Sequence, residues 1–211
     1  MGYPTTQNLK DFLEGSRLIE DTSASPYDLL DYAGAVAGAE EFFENSVKWF
    51  PFLSSGSAST RLFDPPINNG RDYPYLSLQG GLTALTSVSI SGTTLDTSQY
   101  FSCPTNTLAK GRPITGIEFY RVYYVASLPR SVSVIGKWGY CDTLPDSVFN
   151  AVLHYAASTL LASVSFGVSQ GLAGKKEGDE EWRYGNDDFK MGADMWAKEF
   201  QEVVRRYQRC S

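Results

Sequence analysis

The chain has 211 residues, 42% hydrophobic and 20% charged, enough for one globular domain or one domain carrying a subdomain and too apolar to remain unfolded. A formal charge of −6 argues against a grip on nucleic acid, which needs lysine and arginine to displace counterions from phosphates. Three widely spaced cysteines (Cys103, Cys141, Cys210) and one histidine make no CxxC or Cys/His cluster, so neither a disulfide framework nor a zinc site is indicated.

In chain order, Thr6 is placed to cap a short helix in which Leu9, Phe12 and Leu13 share a face. A second start follows at SPYD, with Ser25 as N-cap, Pro26 at the first helical position and Asp28 completing a near capping box. Leu29, Ala33, Val36, Phe43, Val47 and Phe50 then recur at helical spacing until Pro51. SSGSAST (54–60) breaks the pattern as a connector.

From about residue 60 to 140 the period shortens. TRLFD, YLSL, TSVSI, GIEFYRVYYV and SVSVIGKW read as strands, with Ile117, Phe119, Arg121 and Tyr123 alternating onto one face. SVSI–SGTT–LDTSQY reads as a hairpin turning at Ser91-Gly92, and Gly80-Gly81 as a turn between strands. Helix returns at Pro145 with Phe149, Val152, Leu153, Ala156, Leu160 and Val164 in one stripe. Residues 171–186 are polar and glycine-rich, a long loop or a segment that orders on contact. Asn186 caps a last helix with the stripe Phe189, Ala193, Trp196, Phe200, Val203 and Tyr207. Asp187 and Asp188 open that helix and Arg205, Arg206 and Arg209 close it, each sign matching the macrodipole.

The expected fold is therefore α+β. A helical bundle from N- and C-terminal helices (1–58 and 141–211) carries an inserted antiparallel β subdomain (59–140). Trp138, Gly139, Tyr140 and Pro145 form the structural junction through which the last strand returns the chain to the bundle. Residues 151–168 form the one apolar run of membrane length, but they contain His154, Tyr155 and several hydroxyls, and MGYPTTQNLKDF has no apolar signal core. A soluble protein folded in a reducing cytosol, with no membrane contact, is expected.

Chemistry is hard to find. His154 has no serine or cysteine motif beside it and reads as a helix flank rather than a general base. Glu40 with Glu41, Asp179 with Glu180 and Glu181, and Asp187 with Asp188 are adjacent pairs in shared surroundings, whereas paired acid/base carboxylates need two different ones. Gly80-Gly81 is followed by no GK[ST], so it is not a phosphate loop. The expectation is a non-enzyme with no catalytic residues, no cofactor and no metal.

Three stretches together resemble one family. EFFENSVKWF ends a helix before TRLFD (60–64), SVSISGTTLDTSQY (87–100) follows, and SVSVIGKWGYCDTLPDSVFNAVLHYAA (131–157) runs from strand through a Gly-aromatic turn into an Ala-rich helix. In that order they resemble the head–tail connector (adaptor) proteins of tailed bacteriophages, the longer class with a β insertion. The resemblance implies a virion structural protein of the neck, made in the host cytoplasm. It would form a homo-oligomeric ring, a dodecamer, between the portal protein and a head-closure or tail protein. DNA would pass through the channel without specific binding. The resemblance also assigns Arg205, Arg206 and Arg209 to portal contact. The readings left beside it are another neck or tail-completion protein, a carbohydrate-binding module, and a carboxylate-based hydrolase.

Overall fold

The computed structural model describes residues 1–19, 21–24, 27–66, 74–120, 128–171, 176–177, 180–181 and 186–208, with the backbone alone between 163 and 194. The protein is α+β. Among these residues it has four α-helices, α1 (Thr6–Gly15), α2 (Tyr32–Val47), α3 (Asp146–Gly171) and α4 (Asn186–Tyr207). Strands β1 (Ser59–Phe63), β2 (Tyr75–Ile90), β3 (Thr93–Thr94), β4 (Tyr100–Cys103), β5 (Ile114–Phe119) and β6 (Val132–Trp138) make an antiparallel sheet. Its order is β1–β6–β2–β5–β4, with β3 paired to β2. A separate short pairing joins β7 (Lys176–Glu177) to β8 (Glu180–Glu181). The chain divides into two compact units, Lys48–Leu144 and, drawn from both ends, Met1–Val47 with Pro145–Ser211.

In the helical unit, the cap of α1 is Thr5, one residue earlier than the Thr6 expected. Thr5 accepts the Asn8 N–H at 3.2 Å while the Asn8 side chain accepts the Thr5 N–H at 2.9 Å, so two orphan donors are satisfied reciprocally. Helix α2 begins later than SPYD predicts. Ser25 and Pro26 lie outside the described residues, Tyr27–Leu29 forms only a 3-10 turn, and the α-helix opens at Tyr32. Asp31 is the effective cap, its carboxylate accepting the Gly34 N–H at 2.8 Å and its carbonyl the Ala35 N–H at 3.1 Å. Leu29 consequently stays off the buried stripe, which is Tyr32, Val36, Ala39, Phe43 and Val47. Lys48 takes φ +60 and stops the helix, so Phe50 does not join the stripe either.

Helix α3 is buried more widely than its predicted stripe. Val148, Ala151, Val152, Leu153, Ala156, Ala157, Leu160 and Leu161 are all buried, because α3 packs against α1, α2 and α4. Small residues at 151, 156 and 157 let neighbours approach on several sides. Phe149 is only partly buried, and Val164 is among the positions with backbone alone. Helix α4 buries Phe200, Val203 and Val204. The Phe200 ring meets Phe43 edge-on at 6.1 Å and Tyr155 at 4.6 Å, centroid to centroid. Burying such a ring contributes about 1.5–3 kcal/mol.

In the β unit, Gly80-Gly81 is not a turn between strands. Both lie inside the 16-residue β2, at φ +91 and φ +68, where the strand passes from pairing with β5 to pairing with β6 and its register shifts. Side chains from both halves of β2 (Leu76 and Leu78, Val88 and Ile90) join one apolar cluster with Ile117, Phe119, Val132, Val134 and Trp138. Glycine supplies the positive φ and leaves room for the Trp49 ring, which a Cβ on Gly81 would meet at 2.8 Å. The Ser91-Gly92 turn is present (φ +48, φ +82), but the return along β2 is short, with Thr93 and Thr94 paired and the Leu95 N–H donating to the Val88 carbonyl at 2.9 Å. Asp96 caps a 3-10 turn next, and the chain leaves to pair Tyr100–Cys103 with β5 instead. Ile117 and Phe119 are buried; Arg121 and Tyr123 lie outside the described residues.

Candidate functional site

Three of the four junction residues, Trp138, Gly139 and Tyr140, lie within the β unit. Beyond β6, the Tyr140 N–H donates to the Phe52 carbonyl at 2.8 Å and the Ser54 N–H donates to the Cys141 carbonyl at 2.8 Å. Leu53 and Cys141 form a parallel bridge. The Tyr140 ring stacks on Phe52 at 4.8 Å and meets Trp49 edge-on at 5.2 Å. The segments that enter and leave the β unit are thus fastened to each other, which is why the unit reaches beyond the strand region 59–140 to Lys48 and Leu144. Gly139 sits at φ +152, and a Cβ there would stand 2.8 Å from the Ser54 backbone. No other residue fits.

Trp138 is 1% exposed in the apolar cluster, and its indole N–H donates to the Ser59 carbonyl at 2.9 Å. The Arg61 guanidinium lies 4.3 Å from the Trp138 ring. Asp142 accepts from Ser54 Oγ at 2.5 Å and from Thr83 Oγ1 at 2.7 Å, and these bonds hold its carboxyl below the usual aspartate range. Burial, then the adjacent Asp142 charge, pushes the Cys141 thiol up to about 11, away from the thiolate a nucleophile needs. In the helical unit, Pro145 precedes α3, and its carbonyl accepts the Val148 and Phe149 N–H groups at 2.9 and 3.0 Å. The missing proline N–H costs nothing there.

His154 belongs to a packed cluster. Its ring lies 5.0 Å from Phe12 and 5.5 Å from Trp196, so α1, α3 and α4 meet at it. Its Nδ1 is 2.8 Å from the Glu199 carboxylate. A half-buried imidazole held by one carboxylate between two rings is positioned, but no serine or cysteine joins it in the contacts observed. The acidic pairs stay apart in role. Glu40 is partly buried, and desolvation followed by the Glu44 charge raises its carboxyl, whereas Glu41 is exposed. Asp179 lies outside the described residues, and Glu180, Glu181, Asp187 and Asp188 are described by backbone alone. Among the described residues, no group of three or more His, Cys, Asp or Glu side chains is placed to hold a metal ion. No helix among them is long and apolar enough to cross a membrane.

Arg205 and Arg206 are exposed in the last turn of α4, and Arg209 lies outside the described residues. A groove of about 410 Å³ runs along the edge strand β1, lined by Arg61, Leu62, Phe63, Asp64, Gln79 and Arg130, and no motif in the sequence marks it. The readable signal was Arg61, two residues before Phe63 and so on the same strand face as an apolar residue. Compared with protein-family models and with curated proteins, the chain matches none.

Proposed function

We propose that the protein is a head–tail connector subunit of a tailed bacteriophage, a helical bundle built from both ends of the chain and carrying an antiparallel β insertion. In this reading, copies form a dodecameric ring at the virion neck, between the portal and a head-closure or tail protein. DNA passes through the ring without sequence-specific contact. The single observation that carries the reading is the return stretch 131–157. There β6, the Gly139 turn and the Pro145 start of α3 follow one another in the order in which the sequence of this stretch resembles that family. A subunit of this kind works through surfaces, and Phe50, Leu62 and Met195 are large apolar side chains more than half exposed. Net charge of −6, repeated around a ring, keeps passing DNA from adhering. The exposed Arg205 and Arg206, with Arg209, are assigned to the portal, as a basic end on an acidic subunit.

The test is sedimentation of the purified protein with DNA-filled capsids that carry a portal but no neck proteins. The reading requires saturable attachment to these capsids and none to shells lacking a portal. Equal attachment to both, or to neither, defeats it.

A further inference from the structure

The β1 groove is built to receive charge of the opposite sign. Arg61 crosses it, its guanidinium donating to the Gln79 carbonyl at 2.9 Å, and so satisfies a strand carbonyl that no neighbouring strand reaches in the pairing observed. Arg130 stands at φ +59 and is exposed. The Asp64 carboxylate accepts the Arg130 backbone N–H at 3.0 Å. Two guanidinium groups against one carboxylate leave the lining positive, on a chain whose sum is −6. Leu62, 57% exposed, stands along the rim.

The helical unit carries a matching segment. Asp28-Leu29-Leu30-Asp31 precedes α2, with both aspartates exposed and Leu29 81% exposed, the highest value for a large apolar side chain among the described residues. Its backbone is already held. The Tyr27 and Asp28 N–H groups bond to the Ala24 carbonyl at 2.8 and 3.1 Å, and the Tyr32 hydroxyl donates to the Tyr27 carbonyl at 2.9 Å. An apolar side chain presented on a fixed turn between two acids loses little entropy when it docks.

We infer that Asp28-Leu29-Leu30-Asp31 of one copy docks in the Arg61–Arg130 groove of a second copy. The aspartates meet the two arginines and Leu29 covers Leu62. Donor and acceptor are different surfaces of the same chain, so the contact is heterologous and can propagate from copy to copy, as a ring requires. It deepens the ring reading above and rests on it.

The experiment uses Asp28→Arg and Arg130→Asp, two exposed positions whose side chains can change sign without entering a core, with melting curves to show that both variants stay folded. Sedimentation velocity over a dilution series should show concentration-dependent assembly of the wild-type chain. Either variant alone should assemble at least about tenfold more weakly. Mixing the two should restore assembly, since the native Asp28 of one variant meets the native Arg130 of the other, while the arginine introduced at position 28 meets the aspartate introduced at position 130. The double variant should assemble again. A wild-type chain that stays monomeric at every concentration overturns the inference, as do single variants that match wild type or a mixture that assembles no better than either variant alone. Capsid attachment separates the two readings. If the charge-swap pattern holds but the protein ignores portal-bearing capsids, the contact stands and the connector reading falls. If capsids take up both single variants at wild-type occupancy in the same ring, the connector stands and this contact falls.

Discussion

Gly139 shows how much a single backbone position decides. At φ +152, with Ser54 2.8 Å from where a Cβ would be, it lets the chain leave β6 while pressed against the segment that entered the unit. Gly139→Val should cost on the order of 3 kcal/mol, or roughly 10 °C in Tm, read by thermal melting. A variant that melts like wild type yet no longer attaches to capsids would place Gly139 in an interface instead. Cys141, two residues on, makes a pH prediction. A thiol raised from 9.0 to about 11 keeps its proton in the folded chain where the unfolded chain loses it. Stability from this group is therefore full below pH 9 and lost as pH rises through 11. Alkylation of Cys141 in the native protein should stay slow at pH 8 and accelerate only near pH 11 or on unfolding. Rapid reaction at pH 8, with the fold intact, would contradict its burial.

At the scale of elements, the amphipathic α4 sets packing against contact. Phe200 is 1% exposed, while Arg205 and Arg206 are exposed. Phe200→Ala should destabilise the helical unit by about 3–4 kcal/mol. Replacing Arg205, Arg206 and Arg209 with glutamine should leave melting within about 1 kcal/mol of wild type, but abolish capsid attachment. A triple variant that still attaches to capsids would show that these side chains only complement the helix dipole. Legibility in the sequence follows the same division. Of the α4 stripe, Phe200 and Val203 are buried as its spacing requires and Trp196 and Tyr207 partly so, because a surface helix repeats its apolar residues on one side, while the side chains of Phe189 and Ala193 lie outside the described residues. Helix α3 was read too narrowly, since a helix packed by three neighbours has little polar face to define its period. Helix α2 was started too early because proline after serine signals a helix start, whereas Asp31 supplied the cap. Gly80-Gly81 resembles a turn in any local reading. Only the partner change from β5 to β6 makes it a bend inside one strand, and partners are invisible to a pattern of adjacent residues.

For the whole molecule, chain order matters more than any side chain. The helical unit takes residues from both ends, so it cannot close until the β unit between them has been made or bypassed, and the paired segments at 52–54 and 140–141 bring the two ends of the β unit together. The groove on β1 lies in the β unit and the exposed Arg205 and Arg206 in the helical unit, and the proposed connector role gives each a contact to make. Electron-microscopic imaging of portal-bearing, DNA-filled capsids saturated with the protein is the most direct measurement. The expected density is a closed ring of twelve copies directly beneath the portal, with the C-terminal end of α4 facing it and an open channel on the axis. Protein bound elsewhere on the shell, or a bare portal at saturating concentration, would contradict the connector role.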